Sequence, residues 1–229
     1  MLKINKLKIS SPNKQLVDIS FDIKDSIALI GESGSGKSLT LKALLNLLPS
    51  TLKVDKDINS TFELNYDTIG FIPQNPFTSL SMMTKIKDQF FCSNEKKEEV
   101  LKLVDLDISL LNKFPSQLSG GQIQRIVIAI ALSRNIKLLL LDEPTTALDE
   151  ENKTNIINLI NDLKSRLNIL ILFVTHDIES IKDICNEIII LKDGQVIEKG
   201  FTIDVLSTPK EDYTKKLINS TFKNKQFRN

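Results

Sequence analysis

The sequence is poor in the residues that build metal and redox centres. It has one histidine, His176, and two cysteines, Cys92 and Cys185, which lie far apart with no Cys-x-x-Cys pair. That usage excludes a histidine triad or a zinc cluster and suits a chain kept reduced, as in the cytosol. Long apolar runs are missing as well. The longest uninterrupted one, Ile126–Leu132, falls far short of the roughly 20 residues a helix needs to cross a bilayer. The opening segment Met1-Leu-Lys-Ile-Asn-Lys6 lacks the cleavage pattern of a signal peptide. Neither sign of charge prevails: 30 Lys and Arg stand against 29 Asp and Glu, a formal net charge of +1. No bulk attraction to nucleic acid is therefore expected, although the basic tail after Lys215 offers either a solvated, fraying end or a contact for anionic lipid. Internal repeats and low-complexity segments are absent too. The remainder, 41% apolar and 26% charged over 229 residues, is the composition of a globular protein with one substantial core or two lobes.

Three motifs stand out against that background. The first is Gly31-Glu-Ser-Gly-Ser-Gly-Lys37-Ser38, the pattern G-x-x-x-x-G-K-[ST]. Before it, Ser26-Ile-Ala-Leu-Ile30 reads as a buried strand; after it, Ser38 to Leu48 has helical apolar spacing ended by Pro49. Strand, glycine turn and helix in that order make a phosphate cradle. Glycines let backbone N–H groups point inward, and the helix N-terminus adds partial positive charge. Lys37 reaches β/γ-phosphates and the Ser38 hydroxyl ligates Mg²⁺. The candidate nucleotide contacts are Gly31, Glu32, Ser33, Gly34, Ser35, Gly36, Lys37, Ser38 and Leu39.

The second motif is Leu138-Leu-Leu-Leu-Asp142-Glu143-Pro144. Four consecutive leucines suit a central parallel strand covered on both faces. Such a strand delivers the residues after it to the carboxyl edge of the sheet, where ligands bind in open α/β folds. There Asp142 is suited to Mg²⁺, usually through water, and Glu143 to polarising a water in line with a γ-phosphate. Acids at such a place also serve as solvated helix caps.

The third motif, Leu118-Ser119-Gly120-Gly121-Gln122, precedes a helical pattern that runs to Arg134. Ser119 can cap that helix, and Gly120 and Gly121 leave its first-turn N–H groups unobstructed, a second anion site. Alone, Ser-Gly-Gly is also a common flexible turn. One nucleotide does not need two helix N-termini from the same face of one small domain, so the natural arrangement is head-to-tail, this segment closing over ATP bound to a partner.

His176 follows the apolar run Ile169–Val174, which brings its imidazole to the same edge as Glu143. It is read either as a hydrogen-bond partner of the γ-phosphate or as a solvated histidine at a strand end. Gln74, beside two prolines, carries an amide able to ligate Mg²⁺ or the attacking water, or is an ordinary loop residue.

The coarse pattern predicts strands at 2–9, 16–23, 68–72 and 169–174, a hairpin of 187–191 with 195–198 around Asp193-Gly194, and a helix through Ile156, Ile157, Ile160, Leu163 and Leu167. Residues 76–134 change character: helices at 95–104 and 123–132 and no strong strand mark a helical lobe inserted in the sheet domain.

With these motifs in this order, the chain resembles an ATP-binding subunit of an ABC transporter over nearly its whole length. The three motifs match the family's Walker A, Walker B and signature sequences, Gln74 its Q-loop, Thr145–Asp149 its D-loop and His176 its switch histidine. The resemblance implies an α/β fold: a P-loop NTPase (RecA-like) core at 1–75 and 135–200, with an antiparallel β portion, an inserted α-helical subdomain at 76–134 and a C-terminal tail at 201–229. It implies ATP and Mg²⁺ as ligands, with Glu143, His176 and Gln74 catalytic and Ser38, Gln74 and Asp142 toward the metal. Ser119, Gly120, Gly121, Gln122 and Asp149 face nucleotide across a dimer seam. It further implies two transmembrane permease subunits touched by the Q-loop region, an extracytoplasmic solute-binding protein, and a peripheral place on the cytoplasmic face of the cell membrane.

Within the family, Pro76-Phe-Thr-Ser-Leu80 and Pro209-Lys-Glu-Asp-Tyr213-Thr-Lys-Lys-Leu217 are similar to segments of the branch importing oligopeptides, dipeptides and nickel or nickel chelates. Ala28–Leu39 with Ala43–Pro49 looks closest to nickel-import subunits of the NikD type. Two different ATPase subunits usually pair in that branch, which makes a heterodimer the expectation. The family's adenine-stacking aromatic is missing from Ile9-Ser10-Ser11-Pro12, so the base is held more weakly or by other means. Exporter and non-transport ABC ATPases are the rival readings; an extracytoplasmic binding protein in the complex separates importer from exporter.

Overall fold

The computed structural model describes residues 1–146 and 148–226. Ala147, inside the Thr145–Asp149 segment, and residues 227–229 of the expected tail lie outside the described residues. The chain divides into two compact units, Met1–Leu64 with Leu170–Asn229, and Asn65–Ile169. The first unit opens with β1 (Leu2–Ser10), β2 (Gln15–Ile23), β3 (Ser26–Ile30), α1 (Lys37–Leu44) and β4 (Lys53–Ser60). The second holds β5 (Ile69–Ile72), α2 (Asn94–Leu103), α3 (Gly120–Leu132), β6 (Leu138–Asp142) and α4 (Glu150–Leu167). The first is completed by β7 (Leu170–Thr175), β8 (Glu187–Lys192), β9 (Gln195–Phe201), α5 (Thr202–Ser207) and α6 (Asp212–Gln226).

In the first unit β3 lies between β7 and β8 and runs parallel to both. Every residue of β3 and β7 is buried, which is why their sequences are unbroken apolar runs and not alternating ones. Next to β8 come β9, β2, β1 and β4. The pairs β8–β9, β1–β2 and β1–β4 are antiparallel, and β2 meets β9 in parallel at Asp18 and Gln195. Strand β1 buries Leu2, Ile4, Leu7 and Ile9, and a register shift between Ile4 and Leu7 keeps both halves of its alternation on the core face. The β8–β9 hairpin turns through Asp193 and Gly194, both at positive φ (49° and 76°), as a two-residue turn of matching twist requires.

Three features of this unit differ from expectation. Helix α1 stops at Leu44 and not at Leu48, because Asn46 enters the left-handed region (φ 57°). Its N–H donates to the Ala43 carbonyl at 3.3 Å and that of Leu47 to Lys42 at 2.8 Å, closing the helix end. Strand β4 has no counterpart in the sequence pattern, since only Val54 and Ile58 are apolar among its charged residues. It forms along the open edge of β1, and its Lys56 donates to Asn46 Oδ1 at 2.5 Å, fastening the end of α1. The segment beyond Lys215, expected as a tail, continues as helix through Gln226. Thr214, Leu217 and Ile218 form a buried stripe along α6 with half-buried Tyr213, a helical spacing that docks one face.

In the second unit β5 and β6 pair in parallel, Ile69 with Leu138 through Ile72 with Leu141. Leu138–Leu141 are fully buried. Between these strands the described residues form helices and turns only, and α3 is buried nearly all round. Arg125 on α3 donates to the Val104 carbonyl at 2.7 Å, tying it to the end of α2. Helix α4 buries Ile156, Leu159, Ile160 and Leu163; Leu167, expected on that stripe, is 37% exposed.

Candidate functional site

Strand β3 hands the chain to a loop in which Gly34 and Gly36 have φ of 82° and 106°. A Cβ at Gly36 would lie 2.8 Å from Val17 Cγ2, so both backbone and neighbour demand glycine there. Helix α1 begins at Lys37 with no side chain capping its first turn, which leaves its N–H groups to face an anion. Lys37 is 7% exposed, and its ammonium donates to the carbonyls of Gly31 at 2.6 Å and Glu32 at 2.9 Å. The Ser35 hydroxyl is buried and has no hydrogen-bond partner among the described residues. Glu32, Ser33, Gly34 and Ser38 are exposed, and Leu39 is half-buried.

Two later segments of the same unit hold this loop. The Gly194 N–H donates to the Ser35 carbonyl at 3.0 Å. The Tyr213 phenol oxygen accepts the Glu32 N–H at 3.3 Å. His176 belongs to this group as well: Ile30 is paired with Thr175, so the exposed histidine leaves the sheet beside Gly31.

The acids lie in the second unit. Because Ile72 pairs with Leu141, the chains leaving β5 and β6 run side by side, and Gln74 and Glu143 meet. Gln74 Nε2 donates to Glu143 Oε2 at 3.2 Å, and the Thr146 hydroxyl donates to the same oxygen at 3.1 Å. Glu143 itself takes φ of 48°, a backbone state uncommon outside glycine and concentrated at functional sites. Asp142, half-buried, is the last residue of β6. Within this second unit the Asp142 carboxylate and the Gln74 amide oxygen are hard oxygen donors of the kind Mg²⁺ takes, the Gln74 nitrogen facing Glu143; in the first unit the Ser38 hydroxyl is a donor of the same kind.

Ser119 caps α3 as expected, its hydroxyl accepting the Gln122 N–H at 3.3 Å while Gln122 Oε1 accepts the Ser119 N–H at 3.1 Å. A Cβ at Gly120 would meet nothing within 4 Å, whereas at Gly121 it would lie 2.6 Å from Asn152 Oδ1. Gly121 thus has a second reason to be glycine, the close approach of α4. Asn152 in turn binds the Asp149 carboxylate through its backbone N–H at 2.8 Å and its amide at 2.9 Å. These bonds, the backbone one foremost, hold the Asp149 carboxyl below its ordinary range.

Sequence reasoning missed Thr146, Asn152 and Tyr213. The first two stand three residues after Glu143 and Asp149, a spacing that suggests local side-chain bonds. Tyr213 is 181 positions from its partner and gives no local signal.

A strand–glycine loop–helix unit among parallel strands, together with acids at the end of a leucine strand, defines a P-loop NTPase fold. The ABC transporter family model matches residues 16–146. The oligopeptide transport ATP-binding protein AppD of Bacillus subtilis (strain 168) is 34% identical, over 96% of this chain and 78% of its own length. The methionine import ATP-binding protein MetN of Streptococcus thermophilus (strain CNRZ 1066) is 35% identical over 88% of this chain, which spans 63% of that relative's length. A solved dimer of the ATP-binding cassette MJ0796, in a post-hydrolysis state bound to ADP and Pi, has a TM-score of 0.72 and 27% identity. It covers 88% of this chain and 99% of its own. The chain belongs to the ABC transporter family as an ATP-binding subunit, and is an ABC-type ATPase. ABC ATPases work with transmembrane permease subunits; among the described residues no helix is long and apolar enough to cross a membrane.

Proposed function

We propose that the chain hydrolyses ATP to drive an importer of short peptides, with nickel chelates the alternative cargo of the same branch. The branch-like segments Pro76–Leu80 and Pro209–Leu217 support this reading, as does the likeness to an oligopeptide transport protein. It works at the cytoplasmic face of the membrane as a peripheral subunit, paired with a second, different ATPase subunit. Two permease subunits and an extracytoplasmic solute-binding protein complete the complex. Met83 and Phe91, 89% and 87% exposed beyond the Gln74 loop, suit contact with the permease. No nucleic acid takes part.

The observation that carries the reading is Glu143 held by Gln74 and Thr146. In the proposed mechanism the N–H groups of Gly31–Leu39 and the Lys37 ammonium bind the ATP phosphates. The buried Ser35 hydroxyl offers a further donor. Ser38, Gln74 and Asp142 would hold Mg²⁺, which would supply positive charge against the ATP phosphates. Glu143 takes a proton from the attacking water, and His176 donates to the γ-phosphate. The helix end at Ser119, Gly120, Gly121 and Gln122 closes on ATP held by the partner subunit, with Asp149 at the seam.

Glu143→Gln tests this in the assembled complex. It is expected to bind ATP, trap a closed dimer and lower turnover by about 100-fold or more; turnover at the parental rate would refute the role of Glu143. Uptake of labelled dipeptide and of nickel chelate by a deletion strain decides the cargo, and export of either overturns the importer reading.

A further inference from the structure

We propose that Tyr213 is a positioning residue for the phosphate loop: by accepting the Glu32 N–H it fixes the Gly31–Glu32 peptide, whose oxygen holds the Lys37 ammonium, and so tunes affinity for ATP. The proposal rests on the chain's binding ATP at this loop. It starts from one amide plane. On its oxygen side, Gly31 O accepts Lys37 Nζ at 2.6 Å; on its nitrogen side, Glu32 N–H donates to Tyr213 Oη at 3.3 Å. Hydrogen bonds at both ends of an amide polarise one another, so losing one weakens and frees the other. Lys37 also rests on the Glu32 carbonyl at 2.9 Å. The residue that donates to the tyrosine thus carries the same ammonium.

The tyrosine is itself held from three directions. Lys192 Nζ lies 5.0 Å from the ring centroid. Just before α6, the Glu198 carboxylate accepts the N–H groups of Lys210 at 2.9 Å and Glu211 at 3.2 Å, which pins the start of the helix. Leu217 and Ile218, each 7% exposed, dock the next turn. A phenylalanine would keep the ring contacts, so the hydroxyl is the group that reaches the loop. It follows that whatever displaces α6 also slackens the seat of Lys37.

Tyr213→Phe in the full chain tests this. Amide exchange at Glu32 in the nucleotide-free protein is expected to quicken at unchanged melting temperature. The Kd for ATP should weaken about two- to fivefold, the size of one exposed hydrogen bond, with KM for ATP raised and kcat kept. Faster exchange with unchanged affinity reduces the contact to a structural one and overturns the proposal; so does a fall in kcat at unchanged KM, or no change in either measurement. A parental chain that binds no ATP sinks the function on which the proposal rests. A parent that binds ATP while the variant behaves identically sinks this proposal alone.

Discussion

Gln74 and Glu143 face each other across a 3.2 Å hydrogen bond because the strands before them are paired in register, Ile72 with Leu141. The side chains that meet are 69 positions apart in sequence, and the parallel pair of strands brings them together. Thr146 supplies a second donor to the same carboxylate oxygen.

Thr146→Val removes that donor and nothing else proposed for the reaction. Turnover by the assembled complex should fall about 10- to 100-fold with ATP affinity kept, the effect of losing one hydrogen bond to a charged group. Gln74→Ala should do more, because it also removes an oxygen proposed for Mg²⁺. Its turnover is expected to need more Mg²⁺, which a metal titration reads directly; an unshifted requirement argues against Gln74 as a ligand.

Ser119→Arg fills the helix end with a cation and dismantles the reciprocal cap with Gln122. In a complex carrying the change in this subunit alone, hydrolysis at the partner's site should be lost, while this chain's own loop still binds ATP. Fluorescent-nucleotide binding to each subunit distinguishes the two. Loss of binding to the chain's own loop would show that the head-to-tail geometry is wrong.

Glu198 gives a pH dependence of defined sign. Burial alone would raise its carboxyl, but the N–H groups of Lys210 and Glu211, bonded to it at 2.9 and 3.2 Å, and the nearby Lys210 charge hold it below the ordinary glutamate range. A depressed folded value means that its stabilisation is complete above the unfolded pKa, about 4.3, and is lost as pH falls through the lower folded value. Amide protection at the start of α6 should therefore drop in acid below about pH 4.3, and Glu198→Gln should remove that step. An identical acid step in the variant would exclude Glu198 as its source.

The buried parallel strands are readable because each is an unbroken apolar run: Ile27–Ile30, Leu138–Leu141 and Leu170–Val174 have no other stable place. The phosphate loop is readable for the same local reason, a glycine pattern between strand and helix. Strand β4 is not, since its pattern is that of a polar loop and only the free edge of β1 makes it a strand. Apolar spacing carries α1 on to Pro49, yet Asn46, able to adopt the left-handed state, stops it sooner. Tyr213 is readable only as part of a branch-like segment. Its contact with Glu32 depends on the β8–β9 hairpin and the Glu198 anchor, which sequence spacing does not reveal.

On the outer rim of its sheet, β4 presents Lys53, Asp55, Lys56 and Asp57 in mixed sign. A rim so strewn with charge is a poor template for another strand, and crowded copies of the chain will not knit edge to edge into ribbons.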